Sequence, residues 1–184
     1  PEFGPSADFQ TLDETAPSWP DGAALQTGNV APTSVTLSWP QATDNAAVIG
    51  YRVIRDEVVV ATTDEATSVP VGGLHPSQSV TFTVEAVDAA GNVSQTGPSA
   101  TISTTDESAP TWPAGAAIAL SNIQPTSVTL AWPPADDDVA VTVYRVMQNG
   151  VEVAAVSDTK TDIGDLSSWS DYTFTVATED GAGN

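Results

Sequence analysis

An internal repeat with a spacing of 93 residues constrains this 184-residue chain more than any other feature. Ala-Pro-Ser-Trp-Pro at 16–20 returns as Ala-Pro-Thr-Trp-Pro at 109–113, and Pro-Thr-Ser-Val-Thr-Leu-Ser-Trp-Pro at 32–40 returns as Pro-Thr-Ser-Val-Thr-Leu-Ala-Trp-Pro at 125–133. Tyr51-Arg52-Val53 returns as Tyr144-Arg145-Val146. Further on the spacing falls to 92, pairing Leu74 with Leu166, Phe82 with Phe174 and Asp88 with Asp180. Two homologous domains of about 90 residues follow, near the lower end of sizes that are stable alone. The boundaries read as 1–15 for a leading segment, 16–105 for the first domain and 106–184 for the second.

Within each copy Val alternates with Thr and other small polar residues, the pattern of half-buried strands. In the first domain the spacing predicts strand A near Ala23–Thr27 and strand B at Val35–Trp39, with Val35, Leu37 and Trp39 inward. Strand C is expected over Ile49–Arg55, burying Ile49, Tyr51 and Val53. A fourth strand is expected at Val58–Ala61 and a fifth near Ser68–Val71. Strand F is expected at Val80–Val87, and strand G at Ser99–Thr104. Seven short strands separated by Pro, Gly, Asn and Asp turns describe an all-β antiparallel sandwich.

Four segments together resemble one family: strand B closing on Trp39, the Tyr51-Arg52-Val53 strand, Gly73-Leu74-His75-Pro76, and Val84-Glu85-Ala86-Val87-Asp88-Ala89-Ala90-Gly91-Asn92. They are similar to fibronectin type III domains, closest to the bacterial variety found in tandem in secreted polysaccharide-degrading enzymes and surface proteins. The resemblance covers about residues 15–184. It implies two immunoglobulin-like antiparallel β-sandwiches in tandem. The family's Tyr six residues after the Leu of the turn before strand F (Leu74 and Leu166 here), whose hydroxyl bonds the backbone there, is kept as Tyr172 and replaced in the first domain by Val80. The second domain is expected to lack its last strand, because the sequence ends at Asn184, where the first domain still has strand G ahead. At the other end Pro1-Glu2-Phe3 resembles a cloning-site remnant, and Gly4–Thr15 reads as a polar linker.

Charge supplies the functional clue. Four Lys and Arg stand against 24 Asp and Glu, a net charge of −20. Nucleic-acid binding through a basic patch is excluded, an anionic membrane surface is unattractive, and no apolar run is long enough to insert in a bilayer. Strand parity sends most of the acids to one pole of each domain. A hard cation wants about 6–8 oxygens from carboxylates, carbonyls and Asn side chains. The candidate Ca²⁺ ligands are Asp13, Asp44, Asn45 and Asp88 in the first domain, and Asp106, Asp136, Asp137, Asp138 and Asp180 in the second. Two other readings stand beside this one: turns favour Asp and Asn for local hydrogen bonds, and an acidic surface serves solubility or a saline habitat.

Candidates for catalysis are scarce. Cys is absent and His75 is the single His, so thiolate chemistry and multi-His metal sites are excluded. His75 sits in a turn beside Pro76 and reads as structural. Trp39 and Trp132 read as core residues. Trp19 and Trp112 either cover the core's end or stack on sugar, and Trp169 is the freest aromatic because the first domain has Ser77 in its place. The chain is therefore expected to be non-catalytic, a spacer pair of a larger secreted or cell-surface bacterial protein whose partners are its neighbouring domains. A carbohydrate- or protein-binding module, contacting polysaccharide or a cell-surface protein, is the alternative.

Overall fold

A computed structural model describes residue 4 and residues 7–95 and 97–184. Pro1-Glu2-Phe3, the segment resembling a cloning remnant, lies outside the described residues. The chain divides into two compact units, one ending at Thr105 and the other starting at Asp106. Every regular element among the described residues is a β-strand.

In the first unit β1 (Gln26–Ala31), β2 (Ser34–Ser38) and β5 (Ser68–Gly72) form one sheet, in the order β1-β2-β5. The second sheet has the order β4-β3-β6-β7, from β3 (Val48–Arg55), β4 (Val58–Thr63), β6 (Ser79–Asp88) and β7 (Ser99–Ser103). All pairings are antiparallel. Alternation along β2 and β6 sends Val35, Leu37, Val80, Phe82, Val84 and Ala86 into one core shared by both sheets. Phe82 and Leu37 are wholly enclosed, and burial of such side chains is worth roughly 1.5–3 kcal/mol each. Trp19 and Trp39 flank Tyr51, with ring centroids 5.8 and 5.5 Å from it, and the Tyr51 hydroxyl accepts from the Ala42 amide at 3.1 Å.

Two expectations fail here for identifiable reasons. The first strand joins its ladder only at Gln26, pairing with Ser38; Leu25 is buried just ahead of it, so apolar content there marks the core and not the ladder. Ile49 is not buried but half exposed, at 51 %. The pairing of β3 with β6 shifts register between Val48 and Gly50. That bulge puts Gly50 and Tyr51 side by side against the interior and turns Ile49 outward.

The second unit repeats the plan with β8 (Ala119–Gln124), β9 (Ser127–Ala131) and β12 (Lys160–Ile163) in one sheet. Its other sheet holds β10 (Val141–Gln148), β11 (Val151–Val156) and β13 (Phe174–Asp180), in the order β11-β10-β13. Leu130, Trp132, Tyr144 and Val146 fill its core. No counterpart of β7 is present among the described residues, and β13 pairs with β10 alone. Phe174 is accordingly half-buried where its equivalent Phe82 is enclosed. The Tyr172 hydroxyl accepts from the Ser167 amide at 2.7 Å, the corner bond that Val80 cannot make. In the first unit Thr104 ties the same corner, its hydroxyl donating to the His75 carbonyl at 2.6 Å and accepting from the Gln78 amide at 2.8 Å.

Candidate metal centre

The loop between β2 and β3 carries Asp44, and β6 ends on Asp88. Gly91 follows in the left-handed region (φ 93°), so the chain doubles back and sets Asn92 over Asp88. The segment leading into the unit brings up Asp13. One carboxylate oxygen from each of Asp13, Asp44 and Asp88 lies within 4.8 Å of the others. Asp106, Asp137 and Asp180 form the same triad in the second unit, where Gly183 takes the role of Gly91 with a φ of 91°. Two ligands of one Ca²⁺ are at most about 5 Å apart, given ligand distances of roughly 2.3–2.6 Å. Either triad fits a single ion.

Ordinary turn chemistry occupies one oxygen of each outer carboxylate. Asp13 Oδ1 accepts from the Thr15 amide at 3.0 Å and from Asn45 Nδ2 at 3.1 Å. Asp44 Oδ2 accepts from the Ala46 amide at 2.9 Å. In the second unit Asp106 Oδ1 accepts from the Ser108 amide at 3.1 Å, and Asp137 Oδ1 from the Val139 and Ala140 amides, both at 3.0 Å. The other oxygens are a different matter. Asp13 Oδ2, Asp44 Oδ1, Asp106 Oδ2 and Asp137 Oδ2 are shielded from solvent and accept no hydrogen bond among the described residues. A charged oxygen out of water without a donor is costly, and nearby carboxylates repel by roughly 3–4 kcal/mol per pair at an effective dielectric near 20. A cation at the centre of either triad would relieve both penalties.

The third carboxylate is buried and fully bonded from behind. Asp88 is 1 % exposed and Asp180 2 %. Asn92 donates to Asp88 through its amide at 2.8 Å and its side chain at 2.7 Å. Asp180 Oδ1 accepts from the Ala182, Gly183 and Asn184 amides at 2.7–2.9 Å, and Oδ2 from Asn184 Nδ2 at 2.9 Å. Burial alone would push both carboxyls up. Donation by the Asn92 side chain and the Asn92, Gly91 and Ala90 amides outweighs it at Asp88, and the Asn184 side chain with the Asn184, Ala182 and Gly183 amides does so at Asp180. Both are held below the ordinary carboxylate value, and Oδ2 of each, which accepts one Asn side-chain donor, keeps a lone pair that a metal could use.

The remaining candidates lie outside the triads. Asn45 orients Asp13 through its amide group. Asp136 pairs through its backbone with Thr111, and its side chain is exposed. Asp138 is exposed and accepts from the Ser108 hydroxyl at 3.2 Å. The sequence pattern left out the tie made by Asn92: its side-chain amide also reaches the carbonyls of Asp13 and Thr15, both at 3.1 Å. The Asp-x-x-Gly-Asn spacing shared by 88–92 and 180–184 carried that signal. Trp19 covers the core's end and donates from Nε1 to Ser94 Oγ at 3.1 Å, while Trp112 sits 6.0 Å from the Tyr144 ring.

The fibronectin type III domain family model matches residues 18–104 and again 108–184. The chain belongs to this family. Each fibronectin type III module is a non-catalytic domain, and the triad members Asp13 and Asp106 both fall just ahead of the matched segments. Among bacterial relatives, chitinase A1 of Niallia circulans is 42 % identical over 179 residues, covering 94 % of this chain and 25 % of the relative. Exoglucanase B of Cellulomonas fimi is 39 % identical over 181 residues, covering 95 % and 16 %. The chain thus spans a quarter or less of these relatives' length. Among solved structures, a two-domain fibronectin type III segment of chicken tenascin matches at 19 % identity and a TM-score of 0.41, covering 91 % of this chain and 93 % of that one. No helix of the fibronectin type III pair is long and apolar enough to cross a membrane among the described residues.

Proposed function

We propose that this chain is a pair of non-catalytic accessory modules of a larger secreted or cell-surface bacterial enzyme acting on polysaccharide, each module stabilised by one Ca²⁺. The spacer role is supported by the small share of the relatives that the chain matches, in proteins named as chitinase and exoglucanase. Its immediate partners are then the neighbouring domains of the same polypeptide. The observation that carries the calcium reading is the pair of shielded, donor-less carboxylate oxygens in each triad, repeated at equivalent positions in both modules. Calorimetric titration of the purified chain with Ca²⁺ should give two ions per chain. Asp44→Ala and Asp137→Ala should each remove one of them. Absence of binding at millimolar Ca²⁺ would sink the reading.

One observation favours a sugar contact as a second role. Trp169 is fully exposed with a φ of 57°, a conformation that costs a bulky residue more than the Ser77 found in the first module. Leu120 and Ile123 lie exposed with it around one surface pocket. Retention on insoluble cellulose or chitin that Trp169→Ala abolishes would support this role; no retention removes it.

A further inference from the structure

We propose that Asn149 is a self-modifying site: its side-chain amide is lost through attack by the Gly150 backbone nitrogen, leaving aspartate or isoaspartate at the tip of the β10–β11 hairpin. Asn149-Gly150 is the only Asn-Gly pair in the chain. Asn29, Asn45, Asn92 and Asn122 precede Val30, Ala46, Val93 and Ile123, whose Cβ atoms crowd the nitrogen that must attack. Glycine leaves that nitrogen open.

The hairpin presents both reacting groups. Gln148 pairs with Val151, so Asn149 and Gly150 form a two-residue loop. Both are exposed and both have positive φ, 51° and 82°, as a tight hairpin turn requires. The ladder closes on Gln148 and Val151, which leaves the Gly150 amide outside it. On the other side of the reaction, the Thr173 amide donates to Asn149 Oδ1 at 2.9 Å, while the Thr173 carbonyl accepts from the Asn149 amide at 2.8 Å. The donor to Oδ1 polarises the side-chain carbonyl and meets the charge that develops on its oxygen during attack.

The step balances with water as the only co-reactant. The Gly150 nitrogen gives its proton to solvent base and bonds to Asn149 Cγ. The Cγ–Nδ2 bond breaks, and Nδ2 leaves as ammonia after taking up a proton. Water then opens the cyclic imide. Opening at Cγ gives aspartate; opening at the main-chain carbonyl of residue 149 routes the backbone through the side chain and gives isoaspartate. The two products differ in consequence. The first module holds Asp56 at the same turn position with the same φ of 51°, and an aspartate keeps an oxygen to accept from Thr173. Isoaspartate adds a methylene to the backbone of a loop closed around two residues, and so breaks the Gln148–Val151 closure.

Incubation of the intact chain in mildly alkaline buffer, followed by peptide mapping and labelling with an isoaspartyl methyltransferase, tests the site. Asn149 should convert several-fold faster than Asn29, Asn45, Asn92 or Asn122. Gly150→Ala should slow the conversion several-fold, and the turn accommodates a side chain there, since Glu57 holds the equivalent position at φ 64°. The isoaspartate form, separated by chromatography, should melt below the fresh chain in its second module alone, whereas Asn149→Asp should melt with the fresh chain. Asn149 that stays intact in native buffer for as long as the urea-unfolded chain takes to convert would overturn the proposal. Conversion at an unchanged rate in Gly150→Ala would overturn it as well.

Discussion

Removing the Asn92 side chain exposes how the ion-free pole of the first module is held. Asn92→Ala deletes donors to Asp88 Oδ2 at 2.7 Å and to the Asp13 and Thr15 carbonyls at 3.1 Å. It leaves the backbone donation to Asp88 Oδ1 in place. The cost is concentrated at Asp88, which is 1 % exposed and cannot replace a lost donor with bulk water. A hydrogen bond to a charged group is worth about 1.5–3 kcal/mol. The two carbonyls add little, since Thr15 is exposed and Asp13 half-buried, within reach of water. A loss of about 2–3 kcal/mol follows, and for a domain of this size each kcal/mol moves the midpoint by about 4–8 °C. Calorimetric melting in chelator should show the first module's transition falling by about 10–20 °C, with that of the second unmoved. A shift below about 2 °C would mean that Asp88 is not stabilised by Asn92, and the account of this pole would be wrong.

Three further substitutions test the packing and turns of the two modules. A Cβ on Gly97 would lie 1.6 Å from the Val84 carbonyl oxygen, a backbone clash that no rotamer relieves, so Gly97→Ala should lower the first module's stability by more than about 2 kcal/mol in urea unfolding. Tyr172→Phe removes the corner bond to Ser167 and should cost the second module about 0.5–1.5 kcal/mol; an unchanged midpoint would show that the bond is not needed. The β3–β4 turn holds Asp56 and Glu57 at φ 51° and 64°, where the β10–β11 turn has Asn149 and Gly150. Glu57→Gly should therefore stabilise the first module by about 0.5–1 kcal/mol, and a loss of stability would contradict the strain argument.

Strands were most legible where a ladder and a buried face coincide. Val35 and Leu37 in β2, and Val80 through Ala86 in β6, alternate without interruption, and the structure places all of them inward. Ile49 was misjudged because a bulge is a pairing event between distant strands, and no local alternation records it. The start of β1 was misjudged for a related reason: its ladder depends on β2 reaching back to Gln26. At the candidate site, strand parity located the acidic pole but did not select among its members. Asp136, Asp137 and Asp138 are equivalent by residue type. Only the direction of each side chain, set by the backbone pairing of Asp136 with Thr111 and the turn amides capping Asp137, singles out the middle one. Asn92 was legible as a turn residue, whereas its reach to a segment nearly eighty positions earlier in the chain was not.

The most direct test of the account is thermal melting of the intact chain in Ca²⁺ against Na⁺ at matched ionic strength. A ligand that binds only the native state stabilises by about 2.7 kcal/mol at a hundredfold excess over Kd, which for modules of this size is a rise of about 10 °C or more. Both modules should show it, since both carry a triad. Asp44→Ala should cancel the rise in the first module alone, and Asp137→Ala in the second alone. Equal melting in the two salts would show that screening suffices for a chain of net charge −20. A calcium response that survives both substitutions together would place the ion elsewhere. Either result would contradict the claim that the triads are calcium sites.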